Sequence, residues 1–167
     1  MSTEINKPLT GGEFLIRDVK SSEIFTPEEW SEEQLMMKKM CEDFVNQNIV
    51  PRLDALDHQE EGLMVELLDK AAELGLLGIS APEELGGMGM DFKTSMLCTE
   101  ALGQGHSFSV AYGAQTGIGT LPILYYGNEE QKQRFIPRIL SGEWKSCYCL
   151  TEPSSGSDAN SGKTRAV

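Results

Sequence analysis

Ser146-Cys-Tyr-Cys-Leu-Thr-Glu-Pro-Ser-Ser-Gly-Ser-Asp158 is the stretch at which the chain changes character. Cys147, Tyr148, Cys149, Leu150 and Thr151 suit a pleated surface, and Pro153 breaks the run into a loop of Ser, Gly and Asp. Period-two alternation sets Tyr148 and Leu150 on one face of the expected strand and Cys147 and Cys149 on the other. In the loop, Gly156 carries no Cβ, so backbone N–H groups can converge, and Ser154, Ser155 and Ser157 add hydroxyl donors. A concave cluster of donors of this kind suits a phosphate or another anion. The same residue types also build an ordinary turn, and physics alone leaves both readings open.

Everything before this stretch is helical in pattern. Thr26-Pro27-Glu28-Glu29 and Ser31-Glu32-Glu33-Gln34 have the capping-box form, and Met37, Met40, Cys41, Phe44, Val45 and Ile49 then recur at helical spacing until Pro51. The acidic segment 52–61 reads as a solvated connector. Leu63, Leu67, Leu68, Ala71 and Leu74 predict a second helix ended by Gly75, and the Gly- and Met-rich turn at 86–89 follows. Asp91 is the expected N-cap of a third helix, 92–102, stopped by Gly103. Its apolar residues, Phe92, Met96, Leu97, Ala101 and Leu102, run most of the way round, which predicts burial on more than one side. Glu100 would then lie among apolar neighbours, held by an Arg or a helix N-terminus.

Residues 107–128 carry no charge, but Gly113, Gln115, Gly117, Gly119 and Pro122 interrupt the apolar run. A central helix fits better than a membrane span, with Gly113 and Gly117 admitting another backbone. Asn128-Glu129-Glu130-Gln131 is a further capping box, opening a fifth helix that reaches Leu140 and should kink at Pro137. The reading is of a mainly α protein: a bundle of about five helices, then the first strand of something else.

The net charge of −12 argues against nucleic acid and anionic membrane surfaces as partners. Cys41, Cys98, Cys147 and Cys149 form no CxxC pair and no ligand spacing with His58 or His106, so no metal site is expected and free thiols in a reducing compartment are. Met1-Ser-Thr-Glu-Ile-Asn-Lys7 has neither the apolar run of a secretory signal nor the arginines of a transit peptide, which points to a bacterial-type cytoplasm.

Leu150-Thr-Glu-Pro-Ser-Ser-Gly-Ser-Asp158 resembles the signature of the acyl-CoA dehydrogenase family, flavoenzymes that desaturate acyl thioesters between the α and β carbons. The likeness extends upstream to about Ser31, through Pro82-Glu-Glu-Leu-Gly-Gly-Met-Gly89, Thr99-Glu-Ala-Leu-Gly103 and Gly127-Asn-Glu-Glu-Gln-Lys132. The resemblance implies an N-terminal arm over 1–25, the family's helical N-terminal domain over 26–143 and the start of its middle β domain over 144–167. It implies FAD as cofactor, with the backbone of Tyr148 and Leu150 and the hydroxyl of Thr151 at the isoalloxazine and with Gly156 and Ser157 facing the phosphates. Ser157 would also contact the acyl-CoA substrate, and the third helix, through Met96 and Glu100, would line the floor of the acyl pocket.

In the family a Glu carboxylate removes the α proton while the β hydrogen leaves as hydride to the flavin. None of Glu83, Glu100 or Glu152 takes that position in the motif, and the matching Glu would lie beyond Val167. Residues 1–167 alone are therefore expected to be catalytically silent. An electron-transferring flavoprotein would accept the electrons, docking in part on an apolar groove between the first and the third or fourth helices, and the full protein would be a homo-oligomer. Ser154-Ser155 replaces the family's common Gly-Ala and resembles the very-long-chain subgroup. Two alternatives stand beside this reading: a non-catalytic module that holds acyl-CoA or assembles with partners, and a related acyl-CoA oxidase that uses dioxygen.

Overall fold

The computed structural model describes residues 9, 11–24 and 26–165. The leader reading of residues 1–7 and the final residues 166 and 167 lie outside them. The chain divides into two compact units, Met1–Met36 and Met37–Val167.

The first unit holds short 3-10 turns at Glu13–Leu15, Ser21–Glu23 and Pro27–Glu29. Arg17 pairs with Glu13 at 3.2 Å and Glu23 at 3.3 Å. Its last element is the start of α1 (Glu32–Phe44), where the expected capping box forms in full: Gln34 N–H donates to Ser31 Oγ at 3.1 Å and Ser31 N–H to Gln34 Oε1 at 3.0 Å. At Thr26 the same sequence form opens only one 3-10 turn.

The second unit is mainly helical up to Leu140, as its periodicity predicts. From α1 the chain passes through a π-turn, Val45–Ile49, to α2 (Leu53–Asp57), a short helix where a plain connector was expected. Then come α3 (Leu63–Glu73), α4 (Phe92–Leu102), α5 (Ser107–Gly113), a second π-turn (Ala114–Ile118), α6 (Leu121–Tyr126) and α7 (Glu129–Leu140), which runs on past Pro137. The core gathers Cys41, Phe44, Val45 and Ile49 with Leu67, Leu76, Cys98, Leu102 and Phe108, and the Phe44 and Phe108 rings pack tilted with centroids 5.6 Å apart. A smaller cluster of Ala81, Leu85, Ile136 and Leu140 holds the Gly-rich turn against α7. Gly87 is obligatory in that turn, because a Cβ there would lie 2.1 Å from the carbonyl oxygen of Ala81.

Four expectations need correction. The third helix, α4, is buried on one side only: Leu97, Cys98, Ala101 and Leu102 are inside, whereas Phe92 is 76% and Met96 51% exposed. Glu100 continues that outward stripe, since residues 92, 96 and 100 are four apart, and it is exposed. The uncharged run 107–128 is not one helix but α5, a π-turn and α6, and no helix among the described residues is long and apolar enough to cross a membrane. Gly113 and Gly117 admit no neighbouring backbone, for a Cβ on either would meet nothing within 4 Å. Lastly, Cys147–Thr151 form no strand. Strand geometry persists only where a ladder satisfies the backbone, and among the described residues the motif makes a single antiparallel bridge, Glu152 with Ser155.

Candidate functional site

A cavity of about 320 Å³ opens between α4 and the α5–α6 segment. That volume is within the range typical of small-molecule sites, roughly 300–1,000 Å³. On the α4 side its wall is built from Phe92 and Leu102 together with Ser95, Thr99 and, at the helix end, Gly103, three small residues on one stripe. Opposite stand Tyr112, Gly113, Thr116, Gly117 and Thr120, while Leu76, Leu77, Ile79 and Leu140 complete the apolar lining. Met96 and Glu100, the α4 residues expected at this pocket, point along a different stripe and are not among its lining residues.

Hydroxyl groups are frequent in this wall, yet the cavity is apolar in effect. Thr99 Oγ1 donates to the Ser95 carbonyl at 2.8 Å, Ser109 Oγ to Leu102 at 2.6 Å, Thr116 Oγ1 to Tyr112 at 2.9 Å, and Tyr112 Oη to Leu76 at 2.7 Å. Thr120 Oγ1 donates to the Gln115 carbonyl. Each proton is directed into the helical scaffold. What these residues turn towards the cavity is mainly carbon, which suits a hydrocarbon occupant. Burial pushes the Tyr112 phenol well above its ordinary value, so it stays a neutral donor to Leu76.

The π-turn Ala114–Ile118 shapes this wall and does a second job. Gln115 is 1% exposed and fully hydrogen-bonded: its Nε2 donates to the carbonyls of Ile139 at 3.0 Å and Trp144 at 2.9 Å, and its Oε1 accepts from Ser146 N–H at 2.7 Å. It thereby fixes the end of α7 and the residues that lead into the 146–158 motif. Sequence reasoning treats Gln115 only as a polar interruption. The available signal is Gly119, where a Cβ would lie 2.3 Å from Ser146 Oγ and so marks a close approach.

In the motif itself Tyr148 is 51% and Leu150 45% exposed, and Thr151, Gly156 and Ser157 are exposed as well. The space above Gly156 is open, and among the described residues nothing accepts its amide or that of Ser157. Ser155 is not part of that donor set. It is buried, with its amide given to the Glu152 carbonyl at 3.0 Å and its hydroxyl to the Asp158 carbonyl at 2.7 Å. Glu152 ties the loop shut: its carboxylate accepts Lys163 N–H at 2.7 Å and Thr164 N–H at 3.1 Å. These bonds hold its carboxyl below the ordinary glutamate value. Two free amides beside an open glycine fit an anionic phosphate such as that of a dinucleotide cofactor.

The cysteines are free, Cys41 and Cys98 in the core and Cys147 and Cys149 on the surface. A hydrogen bond with Cys98, reinforced by burial, pushes the Cys41 thiol up and marks it as a packing residue. Among the described residues no group of three or more His, Cys, Asp or Glu side chains could hold a metal ion.

Residues 31–143 match the family model described as acyl-CoA dehydrogenase, N-terminal domain. The chain is 48% identical over 157 residues to a protein of Bacillus subtilis described as "Probable acyl-CoA dehydrogenase", covering 94% of this chain and 26% of that protein. It is 34% identical over 144 residues to the mitochondrial short-chain specific acyl-CoA dehydrogenase of Sus scrofa, covering 86% of this chain and 35% of that protein. The crystal structure of a Bacillus anthracis acyl-CoA dehydrogenase complexed with FAD superposes with a TM-score of 0.86 at 44% identity, covering 93% of this chain and 26% of that one. This chain thus spans about a quarter to a third of the length of these proteins. On the strength of the matched residues and the shared helical architecture, the chain belongs to the acyl-CoA dehydrogenase family through that family's N-terminal domain.

Proposed function

We propose that the cavity between α4 and α5–α6 takes the hydrocarbon tail of an acyl-CoA thioester, and that the chain serves as the acyl-binding helical part of an FAD-dependent acyl-CoA dehydrogenase. The observation that carries this is the cavity wall: five of its hydroxyl-bearing residues give their protons to the scaffold, and Leu76, Leu77, Ile79, Leu121, Leu124 and Leu140 line it beside them. Burying a methylene on such a surface contributes about 0.8 kcal/mol.

FAD, when bound, would supply the acceptor for the β hydrogen. The Gly156 and Ser157 amides would hold its phosphates, with Ser157 also reaching the acyl-CoA, while the backbone at Tyr148 and Leu150 and the Thr151 hydroxyl would orient the ring system. Among the described residues neither Glu100 nor Glu152 is placed as the base: Glu100 lies off the cavity, and Glu152 is spent on the Lys163 and Thr164 amides. On this reading residues 1–167 bind an acyl thioester without turning it over. Electron transfer to an electron-transferring flavoprotein, homo-oligomeric assembly and a cytoplasmic location rest on the family likeness.

The very-long-chain likeness of Ser154-Ser155 finds no support. A short-chain specific enzyme is among the similar proteins, and about 320 Å³ is at the small end for a ligand site. We therefore assign acyl chains of short to medium length. Methyl NMR of the 167-residue chain titrated with octanoyl-CoA tests the placement. Shifts should concentrate at Thr99, Thr116, Leu121 and Leu124; shifts centred instead on Val65 and Met64, beside α2, would refute it.

A further inference from the structure

The cavity wall and the anchor of the motif are made from the same π-turn. Thr116, Gly117 and Thr120 line the cavity. Gln115, next to Thr116 in sequence, faces the other way. Its backbone carbonyl is the meeting point: Thr120 Oγ1 donates to it from the cavity side, and Ser146 Oγ lies 3.1 Å from it on the motif side. The Gln115 side chain then takes Ser146 N–H at 2.7 Å and holds Trp144 and Ile139 by their carbonyls. Three of the four hydrogen-bonding positions of the side-chain amide are thereby occupied, and the single Ser146 hydroxyl proton lies within reach of both Gln115 oxygens, Oε1 being 3.2 Å from Ser146 Oγ. Gly119 keeps Ser146 within this reach, since any Cβ there would displace it.

We propose that Gln115 is a positioning residue that couples filling of the acyl cavity to the placement of Ser146 and of the segment that follows it. The inference rests on the acyl reading of the cavity. A π-turn has one residue more per turn than its helical neighbours, so its register is easily shifted, and such turns are often found at functional sites. An occupant pressing on Thr116 and Thr120 restrains that register. The restraint passes through one shared carbonyl oxygen to Ser146, only two residues from Tyr148, which begins the stretch assigned to the flavin. By reciprocity, anything that loosens Ser146 must weaken acyl binding, although Gln115, Gly119 and Ser146 do not line the cavity.

The test titrates the 167-residue chain with octanoyl-CoA and follows amide exchange at Ser146 and, as a reference remote from the cavity, at Leu68 in α3. The expected result is that ligand slows Ser146 about tenfold more than Leu68, and that Gly119→Ala and Gln115→Met each weaken binding about fivefold or more. A purely structural Gln115 would lower the melting temperature and leave the affinity of the folded variants unchanged. Binding that slows Ser146 no more than Leu68 overturns the coupling and leaves the cavity reading standing. Absence of saturable binding removes the cavity reading and the coupling together. If either variant fails to fold, the exchange ratio in the unaltered chain still decides.

Discussion

The backbone amide of Ser146 donates to the side-chain oxygen of Gln115 at 2.7 Å, across 31 positions of sequence and in a site where Gln115 is 1% exposed. A buried amide with all its partners is a stringent constraint, because each group left unsatisfied costs about 1–3 kcal/mol. Gln115→Met keeps the length and volume while stranding the carbonyls of Ile139 and Trp144 and the amide of Ser146. The melting temperature of the folded chain should fall by several degrees, measured by circular dichroism; an unchanged value would remove Gln115 from the role given to it.

Gly113 lines the cavity in helical conformation, φ −64° and ψ −34°, with open space where its Cβ would be. Gly113→Leu should leave stability the same or raise it by up to about 1 kcal/mol, since glycine is a poor helix former. The new side chain occupies the acyl site, so octanoyl-CoA affinity should fall about tenfold or more, the loss expected from about two unburied methylenes, while acetyl-CoA is unaffected.

Asp91 caps α4, accepting Thr94 N–H at 2.8 Å and Thr94 Oγ1 at 2.6 Å, and Thr94 is 2% exposed. Asp91→Ala should cost about 1–2 kcal/mol. Because the stripe of Ser95, Thr99 and Gly103 begins one turn later, acyl affinity should fall with it; calorimetric melting and titration of the same variant check both.

Glu152 titrates below the ordinary glutamate value because the amides of Lys163 and Thr164, and the Thr164 side chain, favour its carboxylate. A carboxyl depressed in the folded chain stabilises the loop above its unfolded pKa and loses that contribution as pH falls through the folded one. The amide shifts of Lys163 and Thr164 should therefore move together in acid, with a midpoint below that of a free glutamate. In Glu152→Gln that shared titration should vanish.

Much of the helical architecture is legible in the sequence, because caps are local. Asp91 with Thr94, Asn128 with Gln131, and Gly75 at φ 73° announce helix ends within a few residues of one another. The rotation of α4 is less so. Met96 looks like a core residue by type, yet it is Ser95, Thr99 and Gly103, small and regularly spaced, that line the cavity, with Phe92 beside them. Gln115 is the least legible of all, since a buried glutamine is read from partners 24 to 31 positions away. Cys147–Thr151 fail as a strand for the same reason: side-chain preference suggests a ladder, and only a paired neighbour makes one.

The central claim is that this chain holds a hydrocarbon tail between α4 and the π-turn of α5–α6. Calorimetric titration of the 167-residue chain with free CoA, acetyl-, butyryl-, hexanoyl- and octanoyl-CoA tests it most directly. The account predicts that affinity rises about tenfold for each two methylenes until the cavity is full, then levels off. An affinity that is the same for free CoA and for every acyl chain would contradict it.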